Sequence, residues 1–302
     1  MSQRIRQAAG FTLIELIVVI VISAMVAVFM VLFLDAPIQS YFAQTRRSDL
    51  VDSAHRISYA VTADARTALP NSIRVNASGT ALELLATEGV ARYYGQTDKP
   101  APPPGEELTI GSPATTFGTL DSFNAQVLPF PPPSYQAPYL SIGNTGAVPY
   151  DAYSGATVMT PAATRITVGP NPSTPPYVQG ENFVTLSAPM TFQALNAPLT
   201  QPSVHNAYLV SGPVSYICNP NAANPTAGTL MRYSGYTVTA VQPVPPAGTG
   251  ALIAHDVSAC TISLAPASAV YAYGQIAILR VTLSSNGETL QVFLEAPTEY
   301  SQ

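Results

Sequence analysis

From Phe11 to Leu34 the chain runs apolar for 24 residues, broken by one ionisable side chain, Glu15. As a helix this run spans about 36 Å at ~1.5 Å per residue, enough to cross a hydrocarbon core of ~30 Å with some tilt. Arg4 and Arg6 precede it and Asp35 follows. The bias of basic residues towards the cytoplasmic side puts the leader inside and the rest of the chain across the membrane. An ordinary secretory signal would have an apolar region of roughly 7–15 residues followed by small residues at a cleavage site. Here the run is longer, and the small residues Ala8, Ala9 and Gly10 lie before it. A simple anchor would tolerate any apolar residues, and an acid in it would be only a cost, about 2.5–3.5 kcal/mol near the bilayer centre.

An ionisable group in such a segment needs a partner. Cleavage after Gly10 would create one, because Phe11 would then carry a free α-amine with a pKa near ~8. Glu15 lies four residues further on, one helical turn away. It can pair with its own amine or with that of a neighbouring helix packed at an axial offset. In the second case the ion pair cancels two charges in a low-dielectric bundle and penalises wrong registers.

The stretch Gly10-Phe-Thr-Leu-Ile-Glu15 behind a short basic leader, followed by a long apolar run, resembles the class III leader of type IV pilins and pseudopilins. The resemblance implies that prepilin peptidase cuts after Gly10, that Phe11 becomes the N-methylated first residue, and that Glu15 is needed for entry into a filament. It implies a pilin-like α+β fold: a long N-terminal helix packed on a mostly antiparallel β-sheet domain. The expected divisions are a leader at 1–10, a transmembrane and filament-core helix at 11–34, an amphipathic helix at 35–70, and a β-rich periplasmic or extracellular domain at 71–302. The expected partners are prepilin peptidase, a major pilin, other minor pilins, the inner-membrane assembly platform and the membrane itself.

After Pro37 the apolar positions become periodic. Ile38, Tyr41, Phe42, Leu50, Ala54, Ile57, Val61, Ala65 and Leu69 recur at mostly three, four or seven residues, the mark of an amphipathic helix. Pro37 predicts a kink or local loosening, and Leu69-Pro70-Asn71 ends the helix. Five of the 11 Arg (Arg46, Arg47, Arg56, Arg66, Arg74) fall near this segment, but acids are interleaved with them and no aromatic stacking platform accompanies them. A solvated helix face is expected, and no nucleic-acid partner. The net charge of −5 points the same way.

Beyond Pro70 short runs predict strands: 72–76, 80–86, 90–95, 165–169, 182–187, 207–218, 229–241, 259–264 and two alternating runs around Ser285-Asn286-Gly287, a hairpin signal. Proline tracts read as stiff polyproline-like loops. They make residues 96–180 a loop-rich insertion on the sheet. Cys218 and Cys260 are the only cysteines. If the domain lies outside the cytoplasm they are expected to form a disulfide between neighbouring strands, with two buried free thiols as the alternative.

No nucleophile elbow, paired-acid motif, phosphate loop or metal-ligand spacing occurs. His55, His205 and His255 are isolated in the sequence, His255-Asp256 reads as a surface pair, and Glu106-Glu107 as a solvated turn. The expectation is a protein that is not an enzyme and takes no metal and no cofactor. The stretch 36–75 and the C-terminal runs "PVSYIC", "LMRYSGY" and "RVTLSSNGETLQVFLEAP" are similar to minor pilin-like proteins of mannose-sensitive haemagglutinin pili, and more loosely to other minor pilins and type II secretion pseudopilins. That resemblance implies a part in pilus initiation and tip formation. A tip adhesin and a tip pseudopilin of type II secretion stand beside it as alternatives.

Overall fold

The computed structural model describes residues 12–95, 105–123, 135–154, 157–170, 181–193, 205–266 and 275–297. The leader, Phe11 and most of the proline tracts at 100–105, 129–135 and 170–177 lie outside these. The chain divides into two compact units, residues 1–51 and 52–302. One helix, α1 (Leu13–Arg66), begins in the first and ends in the second.

In the first unit α1 opens with its apolar run, none of whose most hydrophobic window is buried within the protein, and turns polar after Pro37, with Leu50 buried near the unit's end. It is long and apolar enough to cross a membrane. The helix continues through Pro37. Ile38, Tyr41 and Phe42, expected on the amphipathic stripe, are 50%, 67% and 55% exposed. In the second unit Ile57, Val61, Ala65 and Leu69 of the expected stripe are buried, while Ala54 is half-buried and the neighbouring Ser53 is buried in its place.

The second unit is mostly antiparallel β, as the α+β expectation required. Its first sheet has the order β1 (Arg74–Val75), β2 (Ala81–Arg92), β8 (Asn206–Asn219), β9 (Thr229–Ser234), β10 (Thr249–His255). β5 (Tyr139–Ile142) also pairs with β8, beside its first half, while β9 takes the second half. A second sheet has the order β3 (Pro113–Gly118), β7 (Asn182–Thr191), β6 (Ile166–Pro170), β4 (Tyr135–Ala137). The third is β11 (Val257–Pro266), β12 (Gln275–Ser285), β13 (Glu288–Pro297).

Register explains which face goes where. Leu82 lies opposite Tyr216, and Tyr216 opposite Arg232. Both polar side chains reach Asp64 on α1, so this face of β2, β8 and β9 lies against the helix. The alternate residues Glu83 and Leu85 point to the other face, where Leu85 joins Leu69, Tyr139, Tyr153 and Val210 in a core cluster. With both faces covered, the β2 run Ala81–Leu85 is buried at every position, as expected of an interior strand. A second cluster, including Phe117, Leu140, Ile166, Val184 and Leu209, fills the space between the first sheet and the second.

Several expectations are corrected here. The runs 80–86 and 90–95 are one strand, β2, with register shifts at Ala86–Gly89. Residues 96–180 are more than loops: β3, β4 and β5 lie there beside β6, the strand expected at 165–169. Those strands are three to six residues long, too short for alternation to stand out between prolines. Glu106 is fully buried, not solvated, while Glu107 is exposed. Cys218 and Cys260 are bonded, with Cα atoms 6.5 Å apart. They join β8 of the first sheet to β11 of the third rather than neighbouring strands of one sheet. The hairpin forms as read: Ser285 pairs with Glu288, and Asn286 and Gly287 have φ of 46° and 87°, the pair of positive values that a two-residue type I′ turn needs.

Candidate functional site

The first described residue, Thr12, caps α1. The Glu15 backbone N–H donates to the Thr12 carbonyl at 3.1 Å and lies 3.4 Å from its Oγ1. This is the Thr-x-x-Glu pattern of a capping box. The signal lies in the sequence itself, with Thr12 three residues before Glu15 at the head of the apolar run. The cap matters chemically because the first turn of a helix leaves backbone N–H groups without partners. The helix dipole adds partial positive charge there, which favours a carboxylate at Glu15. Glu15 therefore stands at the start of an apolar, exposed helix. Gly10 and Phe11, the expected cleavage pair, lie outside the described residues.

Two polar groups, one half-buried and one built on a buried acid, fix the end of that helix and the chain leaving it. In the first, Asp64 accepts a two-pronged bond from Arg232, Nε to Oδ2 at 2.7 Å and Nη2 to Oδ1 at 3.1 Å. The Tyr216 hydroxyl donates to the same Oδ2 at 2.5 Å. Burial, and then the neighbouring Asp64 charge, push the Tyr216 phenol well above its usual range, so it stays a donor. In the second, Arg74 on β1 sits directly opposite Glu83 on β2. Its Nε and Nη2 donate to Glu83 Oε2 at 3.1 and 2.9 Å. The same guanidinium donates to the carbonyls of Ala240 and Thr239 at 2.6 and 2.9 Å, and lies 3.6 Å from the centre of the Tyr153 ring. Glu83 is fully buried; desolvation raises its pKa, with Arg74 pulling the other way. Sequence reasoning named neither group. The signal available was the pairing of Arg74 and Glu83 across a short Asn-Ala-Ser-Gly turn.

His255 Nδ1 and Asp256 Oδ2 are 2.6 Å apart. The nearby hydroxyls of Ser258 and Ser284 bond to each other at 2.8 Å. Among the described residues no three or more His, Cys, Asp or Glu side chains gather as a metal site.

A family model of the prokaryotic N-terminal methylation motif matches residues 5–31. No curated protein and no solved structure matches the chain. The matched residues contain the leader glycine, the capped helix start and Glu15. The motif points to a structural subunit rather than an enzyme, and implies processing by prepilin peptidase and membrane-associated pilus assembly. With one apolar N-terminal helix that suggests membrane anchoring and a mostly antiparallel β-domain, the motif supports a type IV pilin-like protein.

Proposed function

We propose that the chain is a minor subunit that takes part in starting, and then sits at or near the tip of, a type IV pilus of the mannose-sensitive haemagglutinin type, in the manner of MshO. The observation that carries this reading is Glu15, a lone carboxylate at the capped start of an exposed apolar helix inside the methylation motif. Prepilin peptidase cleaves after Gly10 in the cytoplasm and methylates Phe11. Before assembly the helix anchors the subunit in the inner membrane with the β-domain in the periplasm. On entry into the filament, Glu15 pairs with the N-terminal amine of a neighbouring subunit. Two isolated charges in a low-dielectric core are costly, and pairing them in only one axial register makes the cost a selector of register.

Size favours low copy number. Removal of the leader leaves 302 − 10 = 292 residues, a bulky unit to tile along a filament and a suitable one to end it. The major pilin, other minor pilins and the assembly platform are its partners. A periplasmic domain also suits the Cys218–Cys260 bond, since disulfides persist in oxidising compartments.

The test is a Glu15→Ala strain. Processing should remain intact while the number of filaments per cell falls. Normal piliation in that strain would reject the reading. N-terminal sequencing of the mature protein should begin at N-methylated Phe11, and an intact Met1 would overturn the processing step.

A further inference from the structure

The outward face of the third sheet holds a shallow cavity of about 330 Å³. Register builds it from two rows across the three strands. One row is Ala259, Thr282, Gln291; the next is Thr261, Arg280, Phe293. Ala259 and Thr282 are small members of its lining, and Arg280 and Phe293 the large ones. The Arg280 guanidinium carbon lies 5.1 Å from the centre of the Phe293 ring, and Phe293 is 56% exposed. An aromatic face holds a guanidinium in place without using its N–H donors. Among the described residues no carboxylate pairs with Arg280, in a chain whose net charge is −5. Arg232, by contrast, is neutralised by Asp64.

We infer that this face binds a carboxylate-bearing sugar, with Arg280 taking the carboxylate and the Thr261, Thr282 and Gln291 side chains taking ring hydroxyls. A guanidinium matches a carboxylate with two parallel N–H donors. A single cation, with Glu295 one residue pair away on the same face, suits a monoanion better than a phosphate ester. β11 and β13 are the outer strands of this sheet, but the lining side chains stand on its face, so a peptide added to either edge would not engage them. Hydroxyls and an amide around a flat, open floor suit a polyhydroxylated ring. The inference rests on the proposed function only in needing the domain outside the cytoplasm.

The test uses the full-length processed protein in detergent, titrated by calorimetry with a galacturonate trimer and with its neutral galactose counterpart. The acidic trimer should bind, and both Arg280→Gln and replacement by the neutral trimer should weaken binding about tenfold or more, the scale of one charge-assisted hydrogen bond. Arg280→Lys should fall between, because it keeps the charge and loses the planar fork. Phe293→Leu should weaken binding through loss of the platform. Both side chains are on the surface, and an unchanged melting temperature checks the fold. No binding of the acidic trimer at millimolar concentration, equal binding of the neutral one, or an unaffected Arg280→Gln variant would overturn the inference. So would acetate competing as well as the trimer, since that leaves the sugar unread. Binding by a protein whose deletion leaves piliation normal would sink the assembly reading and leave this one standing.

Discussion

Glu83 shows how one residue ties local sequence to stability. It is fully buried and shares one oxygen with two nitrogens of Arg74. Replacing Arg74 with Met leaves a buried carboxylate without its cation, which should lower unfolding free energy by about 3–5 kcal/mol in urea melts. The pH dependence follows from the direction of the shift. Burial raises the folded-state pKa of Glu83 above its ordinary value, so its contribution is fully present below that value and is lost as pH rises through the folded pKa. The melting temperature of Glu83→Gln relative to the natural protein should therefore increase as pH is raised from the acid range to neutrality. A constant or falling difference would contradict the assigned cause. At this scale the sequence was half legible. Glu15 stood out because every neighbour was apolar. Glu83 did not, because a single acid in a strand looks the same whether its side chain ends in water or inside the domain. Only cross-strand register distinguishes the two cases, and register is a long-range property.

The elements divide in the same way. Helix α1 and the β12–β13 hairpin were readable because each is specified by neighbours in sequence: an unbroken apolar run in one, an Asn-Gly turn between alternating runs in the other. β3, β4 and β5 were missed because their pairing partners lie far away and proline between them hides short alternation, and β10 because it meets the preceding β9 across a proline-containing loop at 235–248 rather than a tight turn. β11 docks on the first sheet at one turn. The Ile262 N–H donates to the Gly79 carbonyl at 2.8 Å, and a Cβ at Gly79 would stand 3.0 Å from the Ile262 oxygen. Gly79 also has φ of 65°. Gly79→Ala should cost about 1–2 kcal/mol from the left-handed backbone alone, more if the Ile262 strand must move, as read by the denaturation midpoint. The Cys218–Cys260 bond spans the same junction and closes a separation of 42 residues. A double Cys→Ala variant should lose about 2–5 kcal/mol. Addition of a reductant should lower the midpoint of the natural protein and leave that of the variant unchanged.

For the molecule as a whole, the class was legible from the N-terminus and the β-domain from strand patterning, whereas the way three sheets join was not. Protease added to spheroplasts should remove the β-domain and leave a fragment carrying α1 in the membrane. Protection of the whole chain would contradict the orientation proposed for it. The tie at Asp64 has a mechanical meaning. A subunit held by its helix and pulled by whatever its β-domain touches passes tension across the helix end. Asp64 delivers that tension to Tyr216 on β8 and Arg232 on β9, two adjoining strands inside the sheet, each hydrogen-bonded on both sides. Force entering there is spread over several ladders instead of unzipping an edge strand one bond at a time. In single-molecule pulling, Asp64→Asn should let the helix leave the sheet at lower force while the sheet itself still unfolds at the force of the natural protein.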